Sequence, residues 1–387
     1  MKAQQQMSFE FGPKTAVSGD VGLDVPQLRA RLEGRDVFAF YSKIRSHKDT
    51  FVDLLVEKHS THIFVYLCPK VICNYLKERY PRFLVVPIEH FTQKDVFLRI
   101  NDLAGPSTVI IMENISRYTV LSSDKFNFLH RLRMATQKRY LIDIVPFTKR
   151  IDKLYLPFSY LDRDILGYSN GYAFQYNYLE EDRNGRIRKA HDFDFIAEKI
   201  APWCYIDYSA FLPDIAYVDS TLTAAEVITY VNRKAVLFDE YDNPQKIVTE
   251  LCDCANMMES RYQALHDALY WVRGETIVFT NIVKNNPLIK RYLRGRVVGG
   301  EIAYKTYMTH NSQPLPFDNV VVFESPLNQN QVGILDVLAD VRPGARVFYF
   351  RNNAKADQYI FNEINMEWQA INTLTIAMKE AQNAALS

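Results

Sequence analysis

The chain has 387 residues, 48% of them hydrophobic, and carries 46 basic against 45 acidic residues. That length suffices for two ordinary domains with full cores, and the near-neutral balance excludes non-specific nucleic-acid binding by bulk charge, leaving only a local patch for any contact with DNA. No apolar run reaches the roughly 18 residues of a membrane span, and the opening MKAQQQMSFEF has no signal-peptide core. Five cysteines, Cys68, Cys73, Cys204, Cys252 and Cys254, form no regular framework, which suits a reducing cytoplasm. The Cys252-x-Cys254 pair has neither a second pair nor a nearby His and reads as ordinary buried thiols.

Residues 1–24 are polar apart from Met7, Phe9 and Phe11 and read as a flexible arm. Strands are expected from Asp36 to Tyr41, His62 to Leu67, Phe83 to Pro87, Thr108 to Met112 and Arg139 to Ile144. Helices are expected from Thr50 to Lys58, Pro69 to Arg79 and Lys125 to Met134. Continuous apolar strands, most followed by a helix, predict a parallel sheet covered on both faces. Residues 151–225 break this rhythm with aromatic clusters and the turn signal Asp182-Arg-Asn-Gly. A second alternating region starts near Ala224, with strands at Thr276–Phe279, Asn319–Phe323 and Arg346–Phe350 and a final helix from Lys355 to Ala381. The expected organisation is an arm over 1–24, a first lobe with an irregular bridge over 25–225, and a second lobe over 226–387.

The order of these pieces resembles a Swi/Snf-type ATPase of helicase superfamily two over roughly residues 25–375. Tyr66-Leu-Cys-Pro-Lys-Val-Ile-Cys-Asn-Tyr-Leu resembles the family's strand–Pro–helix after the phosphate loop, and Leu84-Val-Val-Pro-Ile-Glu-His-Phe the next strand. Ile142-Asp-Ile-Val-Pro-Phe-Thr-Lys-Arg-Ile-Asp-Lys-Leu-Tyr is similar to the leucine-threonine-glycine-threonine-proline stretch with its acidic helix. Ala201-Pro-Trp-Cys-Tyr-Ile-Asp with Phe211-Leu-Pro-Asp resembles the linker into the second lobe, Thr276-Ile-Val-Phe-Thr-Asn its first strand, and Ser325-Pro-Leu-Asn its late turn. The resemblance implies an α/β fold of two RecA-like lobes, with parallel sheets covered by helices.

An ATPase of this family needs a glycine-rich loop followed by Lys and Ser or Thr, so that amides hold the phosphates, Lys reaches the terminal ones and the hydroxyl binds Mg²⁺. The corresponding segment here runs from Ser42 to Thr50: Ser42 and His47 replace the two glycines, Lys48 is kept, Asp49 takes the hydroxyl position, and Thr50 falls one residue late. Side chains at both glycine positions hinder close backbone approach, and Asp49 repels phosphate. Either weak nucleotide binding survives, or the segment is an ordinary turn with a solvated Lys48. At the acid pair, Met112 cannot coordinate Mg²⁺, and Glu113 stands at the water-orienting position or is a helix-start carboxylate. The resemblance places Leu338 and Val341 at the two arginine-finger positions, with Arg342 one residue away, and Gln331 off the expected glutamine. His47, His90, His130 and His310 lack metal-ligand spacing.

Two basic stretches stand out, Arg131 to Arg139 and Lys284 to Arg296. In the second, Lys284, Lys290, Arg291, Arg294 and Arg296 interleave with Tyr292 at helical spacing, as a phosphate-tracking face or a solvated helix face would. In the arm, Gln6-Met-Ser-Phe-Glu-Phe11 is similar to the peptide by which bacterial replication proteins dock on the sliding clamp. Extended, it projects Met7, Phe9 and Phe11 to one side while the Gln6 amide sets the register; alternatively both phenyl rings pack back on the first lobe. The expectation is therefore a degenerate helicase-like DNA-transaction accessory protein, without cofactor or resident metal, that binds DNA or a replication protein in the cytoplasm; a bacteriophage source would suit its small size and divergence, and the cytoplasm would then be that of a bacterial host. The alternative is a diverged DNA-dependent ATPase using ATP, Mg²⁺, Lys48, Glu113 and Arg342.

Overall fold

The computed structural model describes residues 22–91, 93–115, 123–147, 151–181, 187–210, 213–270, 272–280, 286–293, 302–306, 315–324, 337–338 and 340–384. The arm residues Gln6, Met7, Phe9 and Phe11, together with Lys284, Arg294, Arg296, His310 and Gln331, lie outside them. The chain divides into two compact units, Asp20–Phe211 with Met366–Ser387, and Leu212–Asn365. Among the described residues no helix is long and apolar enough to cross a membrane.

The first unit is built on β1 (Val37–Tyr41), β2 (Ile63–Cys68), β3 (Leu84–Pro87), β4 (Thr108–Glu113), β5 (Lys138–Asp143) and β8 (Cys204–Ile206), all parallel in the order β3-β2-β4-β5-β1-β8. Every residue of β1 and β4 is buried, the mark of strands covered on both faces. Aromatic rings supply much of that cover: Phe51 of α2 (Arg45–Lys58) stacks on Phe40 of β1 with centroids 4.9 Å apart and meets Tyr140 edge-on at 6.2 Å. Helices α1 (Val25–Leu32), α3 (Cys73–Arg79), α4 (Lys94–Leu103) and α5 (Ser123–Ala135) complete the layers. The start of α1 falls where the sequence changes from arm to lobe; Asp24 caps it by accepting from the Gln27 amide at 2.9 Å, and Pro26 opens its first turn. Helix α2 begins at Arg45, five residues before the expected Thr50.

The irregular stretch resolves into short helices α6 (Tyr155–Leu161), α7 (Arg163–Leu166), α8 (Gly171–Tyr178) and α9 (Phe193–Ile200), with an antiparallel pair β6 (Leu179–Glu181) and β7 (Ile187–Ala190) flanking the Asp182–Gly185 turn signal. Asp162 and Asn170 cap α7 and α8, and Gly167, at φ +75°, ends α7 in the left-handed conformation that glycine adopts freely. The segment resembling a linker, Ala201 to Asp207, instead returns to the first sheet as β8 beside β1.

The second unit carries β9 (Ile215–Ser220), β10 (Thr276–Thr280), β11 (Ile302–Thr306), β12 (Asn319–Val322) and β13 (Arg346–Asn352), all parallel in the order β11-β10-β12-β13-β9. Because β9 already belongs to this sheet, the division falls at Leu212, earlier than residue 226. Helices α10 (Ala224–Glu240), α11 (Pro244–Asn256), α12 (Glu259–Leu269), α13 (Asn286–Leu293) and α14 (Lys355–Ala384) complete the set. A capping box of Thr223 and Glu226 starts α10. The α/β class with two parallel sheets covered by helices, expected from the sequence, is the one found.

Helix α14 serves both units. Its Phe361 packs on Tyr217 and Tyr349 of the second sheet, with centroids 5.4 and 5.2 Å apart. Its later residues, expected in the second lobe, belong to the first unit: Gln382 Oε1 accepts from the Ile206 amide and Lys379 Nζ donates to the Ile206 carbonyl, both at 2.7 Å. They satisfy the backbone groups that the edge strand β8 would otherwise leave open.

In the second unit the buried Arg261 of α12 clamps the sheet ends, donating to the carbonyls of Phe323 (2.8 Å) and Phe350 (2.9 Å) and pairing with Asp357 at 3.2 Å. Removing one partner of a buried pair strands the other charge. Arg261→Ala should therefore lower unfolding stability by about 3–5 kcal/mol, read from the midpoint shift in urea; a shift below about 1 kcal/mol, the range of an exposed pair, would contradict the clamp.

Candidate functional site

In open parallel sheets, ligands bind in the crevice outside the carboxyl ends of the strands. The register here sets Glu113 of β4 beside Ile142 of β5, and Asp143 of β5 beside Tyr41 of β1, so the polar ends of the three central strands line up. Only Ser42, Lys43 and Ile44 separate β1 from α2. The turn is short, and Arg45 to Lys48 are already helical.

All three amides of this turn are occupied. Ser42 N donates to the Asp143 carbonyl (2.9 Å), Lys43 N to Ser209 Oγ (3.0 Å), and Ile44 N to Ser42 Oγ (3.1 Å). In a phosphate loop such amides face the anion. Asp207, just past β8, organises the rest: its Oδ2 accepts from Ser42 Oγ at 2.7 Å and Ser209 Oγ at 2.5 Å, and meets His47 Nδ1 at 2.9 Å. Serine and histidine both bind the carboxylate rather than each other, which is not the relay of a nucleophilic triad.

Beside the turn lies a buried ionic cluster. Glu113, 2% exposed, accepts from Arg45 Nη1 at 2.9 Å through both carboxylate oxygens, from Lys48 Nζ at 3.0 Å and from the Tyr66 hydroxyl at 2.7 Å. Burial alone would raise its pKa; Arg45, Lys48 and the Tyr66 hydrogen bond outweigh that and hold it down to about 2. The same surroundings push the Tyr66 phenol well up, with burial first and Glu113 next, and the Arg45 guanidinium also rises because Glu113 overcomes its burial. Asp49, at the position expected to bind Mg²⁺ through a hydroxyl, accepts from Arg45 Nε at 2.9 Å and from the Tyr75 hydroxyl. Thr50 Oγ1 turns back to the Ser46 carbonyl at 2.9 Å. Asn114 follows Glu113 in the left-handed conformation, φ +59°, and its buried side-chain oxygen has no hydrogen-bond partner.

Ser42, His47, Lys48, Asp49, Thr50 and Glu113 come together in one unit, and Lys48 is buried and paired rather than solvated. Arg45, Tyr66, Asp207 and Ser209 were missed. Asp207 and Ser209 follow a strand of three residues within a segment read as linker, and Arg45 sat in plain view between the two replaced glycines.

The remaining residues lie in the second unit. Leu338 and Val341 are buried apolar side chains. Arg342 is engaged within its own unit, donating to the Phe317 carbonyl at 3.0 Å and pairing with Asp318. Lys290 and Arg291 are exposed on α13, which buries Ile289 and Leu293 on its other side. Among the described residues no group of His, Cys, Asp and Glu is arranged to hold a metal ion.

No protein-family model and no curated protein matches the sequence. Among solved structures the chain is similar to the Sulfolobus solfataricus SWI2/SNF2 ATPase core domain, at 12% identity and a TM-score of 0.40, over 88% of this chain and 86% of that one. It is also similar to the DUF1998 helicase MrfA bound to DNA and AMPPNP, at 9% identity and a TM-score of 0.41 over 89% of this chain and 50% of that one. A structure of MrfA bound to DNA gives 8% identity and the same TM-score, 0.41, over 89% and 51%. The chain spans about half the length of these MrfA chains. These likenesses are of fold.

Glu113→Gln would leave Lys48 buried without its counter-charge, and stability at neutral pH should fall by about 3–5 kcal/mol. A carboxylate whose folded pKa is depressed contributes stability that is full above its ordinary value near 4.5 and is lost as pH falls toward about 2. Urea midpoints measured from pH 7 to 2 should show the wild type losing, over that acid window, an increment that the variant lacks. Parallel curves for the two proteins would contradict the cluster.

Proposed function

We propose that this chain is a helicase-like protein of DNA transactions that acts by binding DNA or a replication protein, without turning over ATP. The observation that carries this reading is the self-filled turn: its three amides bind Asp143, Ser209 and Ser42, while the cations that would meet a phosphate, Lys48 and Arg45, are already paired with Glu113 and Asp49. A nucleotide would have to displace a buried carboxylate and open three backbone hydrogen bonds before gaining any of its own. Asp49 at the hydroxyl position and the engagement of Arg342 with Asp318 support the same reading.

The expected outcome is no DNA-stimulated ATP hydrolysis and no saturable ATP binding by the full chain. DNA binding should be unaffected by Lys48→Ala. Replacing Lys284, Lys290, Arg291, Arg294 and Arg296 with Ala should weaken it alike on every sequence and flatten the salt dependence by about 0.9 in log–log slope per lost duplex contact. Hydrolysis that vanishes in Lys48→Ala would reverse the conclusion in favour of a diverged DNA-dependent ATPase using Lys48, Glu113 and Arg342.

The arm supplies the partner side of the proposal. Gln6, Met7, Phe9 and Phe11 fit a bacterial sliding clamp, because apolar groups at period two fill adjacent pockets from an extended peptide. A peptide of residues 1–14 titrated against such a clamp should bind in the micromolar range and lose binding with Gln6→Ala or Phe11→Ala. No binding by the unaltered peptide rejects the clamp as partner.

A further inference from the structure

We propose that Cys68 and Cys73 form a reversible intramolecular disulfide, a redox modification site at the junction of β2 and α3. The two Sγ atoms lie 3.3 Å apart, and both thiols are free. Closing the bond to its ordinary length of about 2.05 Å requires an approach of roughly 1.3 Å. The turn Pro69-Lys-Val-Ile72 is the segment that would take up that movement: it is a single 3-10 turn, anchored where Glu89 accepts from the Lys70 amide at 3.1 Å.

No other described cysteine has such a neighbour. Cys204 Sγ faces the Ala201 carbonyl at 3.8 Å, and Cys252 and Cys254 stand two residues apart on α11, which points them to different faces of the helix. The junction also bears on the site. Helix α3 carries Tyr75, bound to Asp49, and Arg79, paired with Asp53 at 2.8 Å, so it braces the helix that holds Lys48.

The oxidant class is a low-molecular-weight disulfide. The Cys73 thiol, slightly exposed where Cys68 is fully enclosed, loses its proton and attacks one sulfur of the reagent, forming a mixed disulfide and releasing one reagent thiol. Cys68 then loses its proton and attacks Cys73 Sγ, expelling the second reagent thiol. Two protein thiols become one disulfide, one reagent disulfide becomes two thiols, and the protons balance.

The test uses the full chain, incubated with oxidised glutathione, quenched with N-ethylmaleimide and read by intact mass and peptide mapping. With the quench carried out in denaturant, the expected product carries three N-ethylmaleimide groups in place of five and, apart from these, is lighter by two hydrogen atoms, with the new bond joining Cys68 to Cys73 and, before the quench, full reversal by dithiothreitol. Cys68→Ser should stop at the glutathione adduct on Cys73, and Cys73→Ser should form neither the adduct there nor the bond. The proposal is overturned if all five thiols are alkylated after oxidant treatment, if wild-type Cys73 accumulates as the glutathione adduct, or if the bond maps to another pair. Mapping of the wild type decides these outcomes even where a variant fails to fold.

Discussion

The first unit depends on one buried carboxylate. Glu113 ends β4, a strand buried along its whole length, and an unpaired charge there would be expelled or neutralised. It stays ionised because Arg45 and Lys48 of α2 and Tyr66 of β2 converge on it. Placing Arg45 and Lys48 together requires both on one face of α2, three residues apart, which in turn requires the helix to begin by Arg45. The early helix start and the short turn thus go with one electrostatic arrangement.

That arrangement also orders the competing effects at the turn. Lysine at position 48 is the residue a phosphate-binding loop would keep, and taken alone it argues for nucleotide. Its setting supports the proposed reading instead. A phosphate gains from amides that await it and cations that lack a partner; here the amides and both cations are already bonded within the protein. Hydrogen-bond exchange of this kind is close to neutral at best, whereas uncovering Glu113 carries the penalty of a buried, unpaired charge. Ser42 and His47 tighten the turn, since Ser42 supplies an acceptor and His47 a ring nitrogen where glycine would supply neither.

The sequence showed the fold well and the site in part, and the physical reasons differ from element to element. Strands β1, β2, β4, β5, β10, β12 and β13 are runs of large apolar residues, and such runs announce a covered parallel sheet before any contact is known. Strands β8 and β9 were invisible because Cys-Tyr-Ile is too short to show a pattern and Ile-Ala-Tyr-Val-Asp-Ser is only half buried. Lys48 and Glu113 were legible as separate residues through their spacing from strands. Their pairing was not, because 65 residues separate them and only the register of β1 with β5 and β5 with β4 closes that distance. Arg342 shows the converse: its charge near a fitting position suggested chemistry, while Asp318 and the Phe317 carbonyl, 24 and 25 residues away, engage it at home.

The far end of the chain reaches the same site through the backbone. Strand β8 has only three residues, too few to hold its place by pairing with β1 alone, yet Asp207 must sit just beyond it to meet Ser42, Ser209 and His47. The outer edge of β8 is closed by side chains of α14, with Gln382 and Lys379 taking the amide and carbonyl of Ile206 and Arg31 donating to the Gln382 carbonyl at 3.1 Å. The aspartate that closes the turn is therefore positioned by a helix more than 170 residues later in the chain. A first unit lacking residues 366–384 would expose an unsatisfied strand edge and loosen Asp207 together, so the closed turn is a property of that whole unit, C-terminal helix included, rather than of the local sequence from Ser42 to Thr50.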